Sequence, residues 1–316
     1  MKNKYLYRVF RLRRLIFLSL ILLFVPWAVG TQVFGHSALL AGPKMQLVTA
    51  LFGVFAIMLL VLIYPRVWWE TVTTALVLGM TLMLLPVIEM LPDLAPTQNQ
   101  GKVTAWTIIG TVLVCFFLWL GLNWLPSVFL HVPLGLREWK SRARYLIPAQ
   151  RAFDILKTAP DSYSRKYKTG PVGDDGLFTV SMNMNTVNPD TWDPENMEML
   201  YKCKIEQESG TSQVISTYYM VEGEANVDVE RLTVRGEGQT AICETVTIRS
   251  RRNLYEDLGF WVQDFGADHL HARLDAAEGL SSIALVDLPY VSPLVGLARF
   301  FEQFNEDPPG KSGGSI

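Results

Sequence analysis

Four apolar runs occupy the first part of the chain: Leu15 to Phe34, Met45 to Tyr64, Thr71 to Leu91 and Thr104 to Leu125. Each is long enough, at about 20 residues, to carry a helix across the roughly 30 Å hydrocarbon core of a bilayer. Between Leu15 and Leu130 the only charged side chains are Lys44, Arg66, Glu70, Glu89, Asp93 and Lys102. Pro126 to Trp139 then mixes Phe129, Leu130, Leu134, Leu136 and Trp139 with His131, Arg137 and Glu138, the pattern of a linker lying along a membrane surface.

From Arg142 onward the period changes to two, which predicts strands. Leu177 to Asn185 places Phe178, Val180, Met182 and Met184 on one face, and Met197 to Ile205 alternates in the same way. Gln213 to Val221, which carries Tyr218, Ala225 to Arg235 and Gln239 to Arg249 continue the series. Turn signals fall at Ser209-Gly210, Gly223 and Gly236-Glu237-Gly238. The connection Thr186 to Asn196 is too long for a simple hairpin turn and reads either as a flap over a cavity mouth or as an ordered surface loop.

Helical segments flank the strands. A short strand at Arg144 to Ile147 precedes a helix over Pro148 to Lys157, and a second short helix is expected at Asp161 to Tyr167. After the last strand, Leu254 to Glu278 predicts one long amphipathic helix. Leu254, Leu258, Trp261, Val262, Phe265 and Ala272 lie on one side of it, with Leu270 and Leu274 slightly offset. The resulting division is a four-helix membrane domain over residues 1–125, an interfacial linker over 126–141 and an α+β domain over 142–285. An amphipathic segment over 286–305 and a disordered tail over 306–316 follow.

Charge sets the expected orientation. Lys2, Lys4, Arg8, Arg11, Arg13 and Arg14 precede the first span and Arg137, Lys140, Arg142, Arg144 and Arg151 follow the fourth, whereas the intervening loops hold one basic residue each. Positive flanks stay in the cytoplasm, so both termini are expected there, in a membrane of the bacterial inner type. A cleaved signal peptide ending near Ala28 and Gly30 is the competing reading, and it leaves the C-terminal domain on the same side. Composition agrees with residence in a bilayer: 50% of residues are hydrophobic, 18% are charged and the mean hydropathy is +0.22. A formal net charge of −2 argues against nucleic acid as a partner.

Candidate chemistry is sparse. Glu89, near the end of the third run, reads as a carboxylate at the outer interface or as a proton or cation site. Cys115, Cys203 and Cys243 have no metal or redox spacing and read as buried thiols. Asp264, Asp268 and His271 share a helical stripe that suits a divalent ion or an acid–base pair, and a solvated outer face explains them equally well. No catalytic residue, metal or cofactor is assigned.

The order of elements, the opening Tyr145-Leu146-Ile147-Pro148-Ala149 with Phe153 and Leu156 behind it, and the closing helix with Trp261 to Leu274 resemble the START-like superfamily, also known as polyketide cyclase, Bet v 1-like or SRPBCC proteins. The resemblance covers about Arg142 to Gly279. It implies a helix-grip fold, a curved antiparallel sheet around a long C-terminal helix, with a hydrophobic cavity that takes a lipid, isoprenoid or polyketide-like molecule. Cavity candidates are Phe178, Val180, Met182, Met184, Tyr218, Trp261 and Phe265. The expected function is binding or transfer of an apolar small molecule beside the lipid bilayer. The alternative is a scaffold or assembly factor that binds a membrane protein partner. Leu294, Leu297, Phe300, Phe301 and Phe304 form an apolar face too short to span, expected to dock on lipid or on a partner.

Overall fold

Each apolar run becomes a helix. The computed structural model describes residues 4–40, 42–91, 100–129, 132, 134–163, 167–187, 194–221, 224–249, 253–288 and 291–297. Helix α1 (Lys4–Arg11) leads into α2 (Arg13–Phe34), and α3 (Pro43–Ile63), α4 (Trp68–Met90) and α5 (Gln100–Trp124) follow. Four of these are long and apolar enough to cross a membrane, with Thr104–Trp124 the apolar part of α5, which places the chain in a bilayer. Helices α2 and α4 pack most intimately. A Cβ on Gly79 would sit 2.3 Å from the Leu22 carbonyl oxygen, and one on Gly30 would sit 2.6 Å from the Met83 backbone. Only a residue without a side chain permits backbones to approach so closely, a common device where lipid supplies no hydrophobic drive between helices.

Glu89 has a structural task at the far end of the bundle. Its carboxylate accepts from the Ser37 hydroxyl at 2.6 Å, from Ala38 N at 2.7 Å and from Leu39 N at 3.3 Å. It thereby satisfies the exposed amides of the 3-10 turn Ala38–Leu40 after α2.

A short α6 (Pro126–Phe129) precedes the sheet. Seven strands lie in the order β1-β7-β6-β5-β4-β3-β2, all antiparallel: β1 (Arg137–Tyr145), β2 (Tyr167–Val172), β3 (Phe178–Val187), β4 (Pro194–Glu208), β5 (Ser212–Val221), β6 (Glu224–Glu237) and β7 (Thr240–Arg249). Helix α7 (Ala149–Leu156) follows β1, and α8 (Leu254–Gln263) and α9 (Phe265–Ala277) follow β7. The five strands expected from alternation are present within a few residues of their expected ends. Four helices with an antiparallel sheet packed by C-terminal helices is the architecture expected from the chain's pattern.

Several elements differ from expectation. The short strand at Arg144 is the end of a strand that begins at Arg137, inside the stretch 126–141 read as linker. Of the stretch Asp161 to Tyr167 expected as a helix, the described residues 161–163 and 167 are not helical: Asp161 N donates to Gly170 O and Thr169 N to Ser162 O, so residues 161–163 pair back on β2. Most consequentially, the expected single helix Leu254 to Glu278 is two. Asp264 adopts φ 51°, ψ 40°, ends α8 and begins α9. Aspartate tolerates the left-handed region better than most residues, which lets the chain turn without a glycine.

The break sends two apolar faces to two different partners. Leu270 and Leu274 of α9 join Phe153 and Leu156 of α7 over Ala143, Tyr145, Leu232, Val234 and Cys243 of the sheet. Val262 of α8, with Tyr255 and Leu258, packs instead against Leu12, Leu15, Val61, Trp68 and Val72 at the end of the membrane bundle.

Candidate functional site

The junction between bundle and domain is built from the helix break outward. Leu12 N donates to Arg8 O and Ile16 N to Leu12 O, so the hydrogen bonding of α1 carries on into α2 and α1 projects from the bundle. Helix α9 runs alongside it. The Arg11 guanidinium donates to Asp264 at 2.8 Å, and the Tyr7 hydroxyl donates to Asp268 at 2.7 Å. Arg14 donates to Trp261 O at 3.0 Å and lies over the Trp261 ring. Arg66, from the α3–α4 connection, donates to Leu288 O at 2.7 Å and receives Gln263 Nε2 on its own carbonyl at 3.0 Å. Glu70, in the first turn of α4, accepts from the Ser292 hydroxyl and from Leu294 N. A cavity of about 200 Å³ lies among Arg66, Trp68, Tyr255, Phe265, Asp268 and Leu285.

Asp268 is 1% exposed, so the reading of its stripe as a solvated face does not hold. Among the described residues no three His, Cys, Asp or Glu gather to hold a metal ion. Burial, the largest influence, raises the Asp268 pKa against the opposing effect of the Val286 N–H and the Tyr7 hydroxyl. The linked stabilisation is therefore full below the ordinary carboxylate range and is lost as pH rises through the raised value. Asp268→Asn, read by thermal melting of the detergent-solubilised chain across pH 3 to 8, should flatten this acid-side gain; an identical slope in both proteins would exclude Asp268 as its source.

The second part of the site is the helix-covered face of the sheet. Pairing fixes which residues share it. Val180 pairs with Tyr201, Ile215 with Glu230, and Glu230 with Thr247. Two apolar clusters stand on this face: the one beneath α7 and α9, and a second of Phe178, Val180, Cys203 and Ile215 with Tyr167, Tyr201 and Ile205. A charged belt is associated with this face. Arg249 pairs with Asp228 at 3.2 Å, and Asp228 also accepts from the Tyr219 hydroxyl at 2.9 Å. From α9, Arg273 donates to Leu156 O at 2.6 Å and to the Tyr167 hydroxyl at 3.1 Å, and lies over the Tyr167 ring. Burial raises the pKa of Glu230, with Arg273 and Arg249 opposing, and pushes the Tyr201 phenol up to about 12. The Arg273 Nε is buried and finds no hydrogen-bond partner among the described residues.

The expected cavity residues do not converge. Phe178 and Val180 are buried in the second cluster, and Met182, half-buried, follows them toward the β3–β4 end. Met184 lies on β3, and its side chain lies outside the described residues. Tyr218 pairs with Lys202, not with the Tyr201 register, and so points to the opposite face. Trp261 is 43% exposed beneath Arg14, and Phe265 meets Phe260 at a tilt and stacks on His269 beside the junction cavity. Tyr255 and Trp261 of α8 thus face the bundle, whereas Phe260 packs on Trp139 of β1, with four strands between β1 and Phe178 on β3. Of the expected docking face, Leu294 and Leu297 are half-buried; Phe300, Phe301 and Phe304 lie outside the described residues, as do the tail 306–316 and positions 188–193 of the expected flap.

Sequence reasoning missed Tyr7, Arg11, Glu70, Glu230 and Arg273. Arg11 is hidden among the basic residues that orient the first span. An acid at position 70, at the membrane entry of a span and behind Trp68 and Trp69, was the legible signal, because a carboxylate there needs a partner.

No protein-family model matches the chain, and no curated protein matches it. Among solved structures, the di-domain ARO/CYC StfQ from the steffimycin biosynthetic pathway is 8% identical, covering 56% of this chain and 62% of that one, with a TM-score of 0.31. The di-domain ARO/CYC BexL from the BE-7585A biosynthetic pathway is 14% identical over 60% of this chain and 62% of that one, at 0.29. CalU16 from Micromonospora echinospora is 14% identical over 54% of this chain and 94% of that one, at 0.27. The match spans 62% of the length of each of the two di-domain proteins. These likenesses are distant, and the architecture stands on the chain's own strand order and packing.

Proposed function

We propose that the chain is a membrane-anchored binding protein for an amphipathic small molecule, with an apolar body and a polar end, held between the inner face of the sheet and α9. The observation that carries this reading is the Arg273 guanidinium, set among Tyr167, Tyr201 and Glu230 with a buried Nε that finds no acceptor among the described residues. A face that only had to pack would be cheaper without charge, because each buried ion costs several kcal/mol before pairing. An unmatched buried donor costs about 1–3 kcal/mol, which an acceptor on a ligand offsets. The apolar surfaces on either side of the belt suit the body of a lipid, isoprenoid or polyketide-like compound. The Lys and Arg asymmetry of the loops supports a cytoplasmic domain and cytoplasmic termini.

Native mass spectrometry of the full chain released from nanodiscs tests this directly. An apolar adduct is expected on the wild type and is expected to be depleted at least about tenfold in Arg273→Met, the loss of a charge-assisted hydrogen bond. A wild-type chain that melts cooperatively yet carries no adduct and binds no apolar fluorescent probe would remove the proposal.

A further inference from the structure

The direction of the strands relative to the bilayer follows from contacts already described. Helix α1 extends from the first span, and α9 passes it in the opposite chain direction, Asp264 at Arg11 and then Asp268 at Tyr7. Helix α9 therefore runs away from the membrane. Strand β1 accompanies it: Trp139 Nε1 donates to Asp257 of α8 near the bundle, and the Tyr145 hydroxyl donates to Asp275 near the far end of α9. With β1 pointing outward, antiparallel pairing fixes the rest. The β3–β4 and β5–β6 hairpin ends point back toward the bilayer.

Those ends reach past the start of β1. Val229 of β6 pairs with Ile248, close to the Arg137–Arg249 pair that opens β1, and Ala225, four residues nearer the start of β6, pairs with Met220. At about 3.3 Å per residue this carries Met220 some 10 Å nearer the membrane than Arg137. Leu200 stands two residues beyond the Lys202–Tyr218 pair in the same direction. On the outer face of these ends Leu200 is 69% exposed, Met220 66%, Ile248 40% and Val227 38%. Among the described side chains no other large apolar residue of β5, β6 or β7 is so exposed, so their described outward apolar surface gathers at the end that meets the bilayer.

We infer that the membrane-proximal ends of β4, β5, β6 and β7 rest in the headgroup layer of the bilayer through an outer-face patch of Leu200, Met220, Val227 and Ile248. The occupant of this patch is lipid because the four spans fix a bilayer at the level the strand ends reach. Apolar side chains at such a surface bury about 5–10 Å into the headgroup and acyl boundary. The inference rests on the membrane helices and the strand register, and is independent of the proposed ligand.

The test uses the full chain with Cys115→Ala in phosphatidylcholine nanodiscs, a fraction of the lipid carrying a nitroxide near the headgroup. Single Leu200→Cys, Met220→Cys and Leu146→Cys variants receive a bimane label. Leu146, 83% exposed just beyond the far end of β1, is the control. Cys203 and Cys243 stay unlabelled because both are buried and their thiols are pushed up, that of Cys243 to about 11. Emission at 200 and 220 should fall at least about twofold with the nitroxide lipid, as expected for side chains in the headgroup layer, and should not change at 146. Equal responses at all three positions overturn the inference. So does a label at 220 that lipid does not quench but a second copy of the chain shields from aqueous iodide. Should either strand variant fail to reach the wild-type melt, Val227→Cys takes its place.

Discussion

Arg11→Met is expected to release the domain from the bundle, at a cost of about 3–5 kcal/mol of docking stability. The Arg11 side chain is 5% exposed and its partner Asp264 17%, so the substitution leaves a largely buried carboxylate without its main cation. Arg13, 3.8 Å from Asp264 and far more exposed, softens the loss without replacing it. The Tyr7 hydroxyl also loses the Arg11 Nε that donates to it at 3.2 Å. The sheet should survive, because its core lies beneath α7 and α9 and not at this contact. Limited proteolysis of the solubilised chain should therefore cut near the α8–α9 break while the far-ultraviolet spectrum keeps its strand signal. Wild-type resistance in the variant would show that the latch does not depend on this ion pair and is carried by the apolar contacts of Trp68, Val262 and Leu285 with the hydrogen bonds of Arg66 and Glu70. A double-mutant cycle with Asp264→Ala separates the pair from its surroundings.

Phe153→Ala is expected to cost about 3–5 kcal/mol, and in a different unit of the molecule. Phe153 is 2% exposed and is the bulkiest side chain on the buried face of α7, where it packs with Leu156, Leu270 and Leu274 over the sheet. Its removal opens a cavity that the two helices cannot both close, since α9 is held at its other end by Asp268. Heating the variant in detergent should lower the melting of the sheet and leave that of the bundle in place. Leu146→Ala, at an exposed position, should change neither. A Phe153→Ala sheet that melts with the wild type would mean that α7 is not part of its cooperative core.

How far the fold was legible depended on whether a segment's partner could be read from its own pattern. The four spans announce themselves because lipid surrounds them on most sides, and strands β3 to β7 because one face is buried and the other solvated. Strand β2 was missed because its Gly170-Pro171 pair reads as a turn, and all but the end of β1 because four basic residues along it look like a membrane flank. The break at Asp264 left no trace in the periodicity: Trp261 and Phe265 are spaced as one helical face, yet they belong to helices that pack on different surfaces. The apolar character of α8 was legible, but what covers it was not, because the covering residues Leu12, Val61 and Trp68 come from distant parts of the chain. The candidate site was less legible still. Its belt depends on Arg273 meeting Glu230 and Tyr167 across a sheet face, a coincidence of register that no local spacing reveals.

The position of β1 beside β7 has a consequence for synthesis. Arg137 pairs with Arg249, so the first strand made must wait for the last before either of its edges is satisfied. With about 100 residues to translate between them at about 5–20 residues per second, the wait is on the order of 5–20 s. Throughout that interval β1 is held close to the membrane by the spans inserted ahead of it. The anchor therefore acts as a holdfast during folding: it keeps an unpaired strand close to the membrane until β7 arrives, with α8 following β7 in the chain.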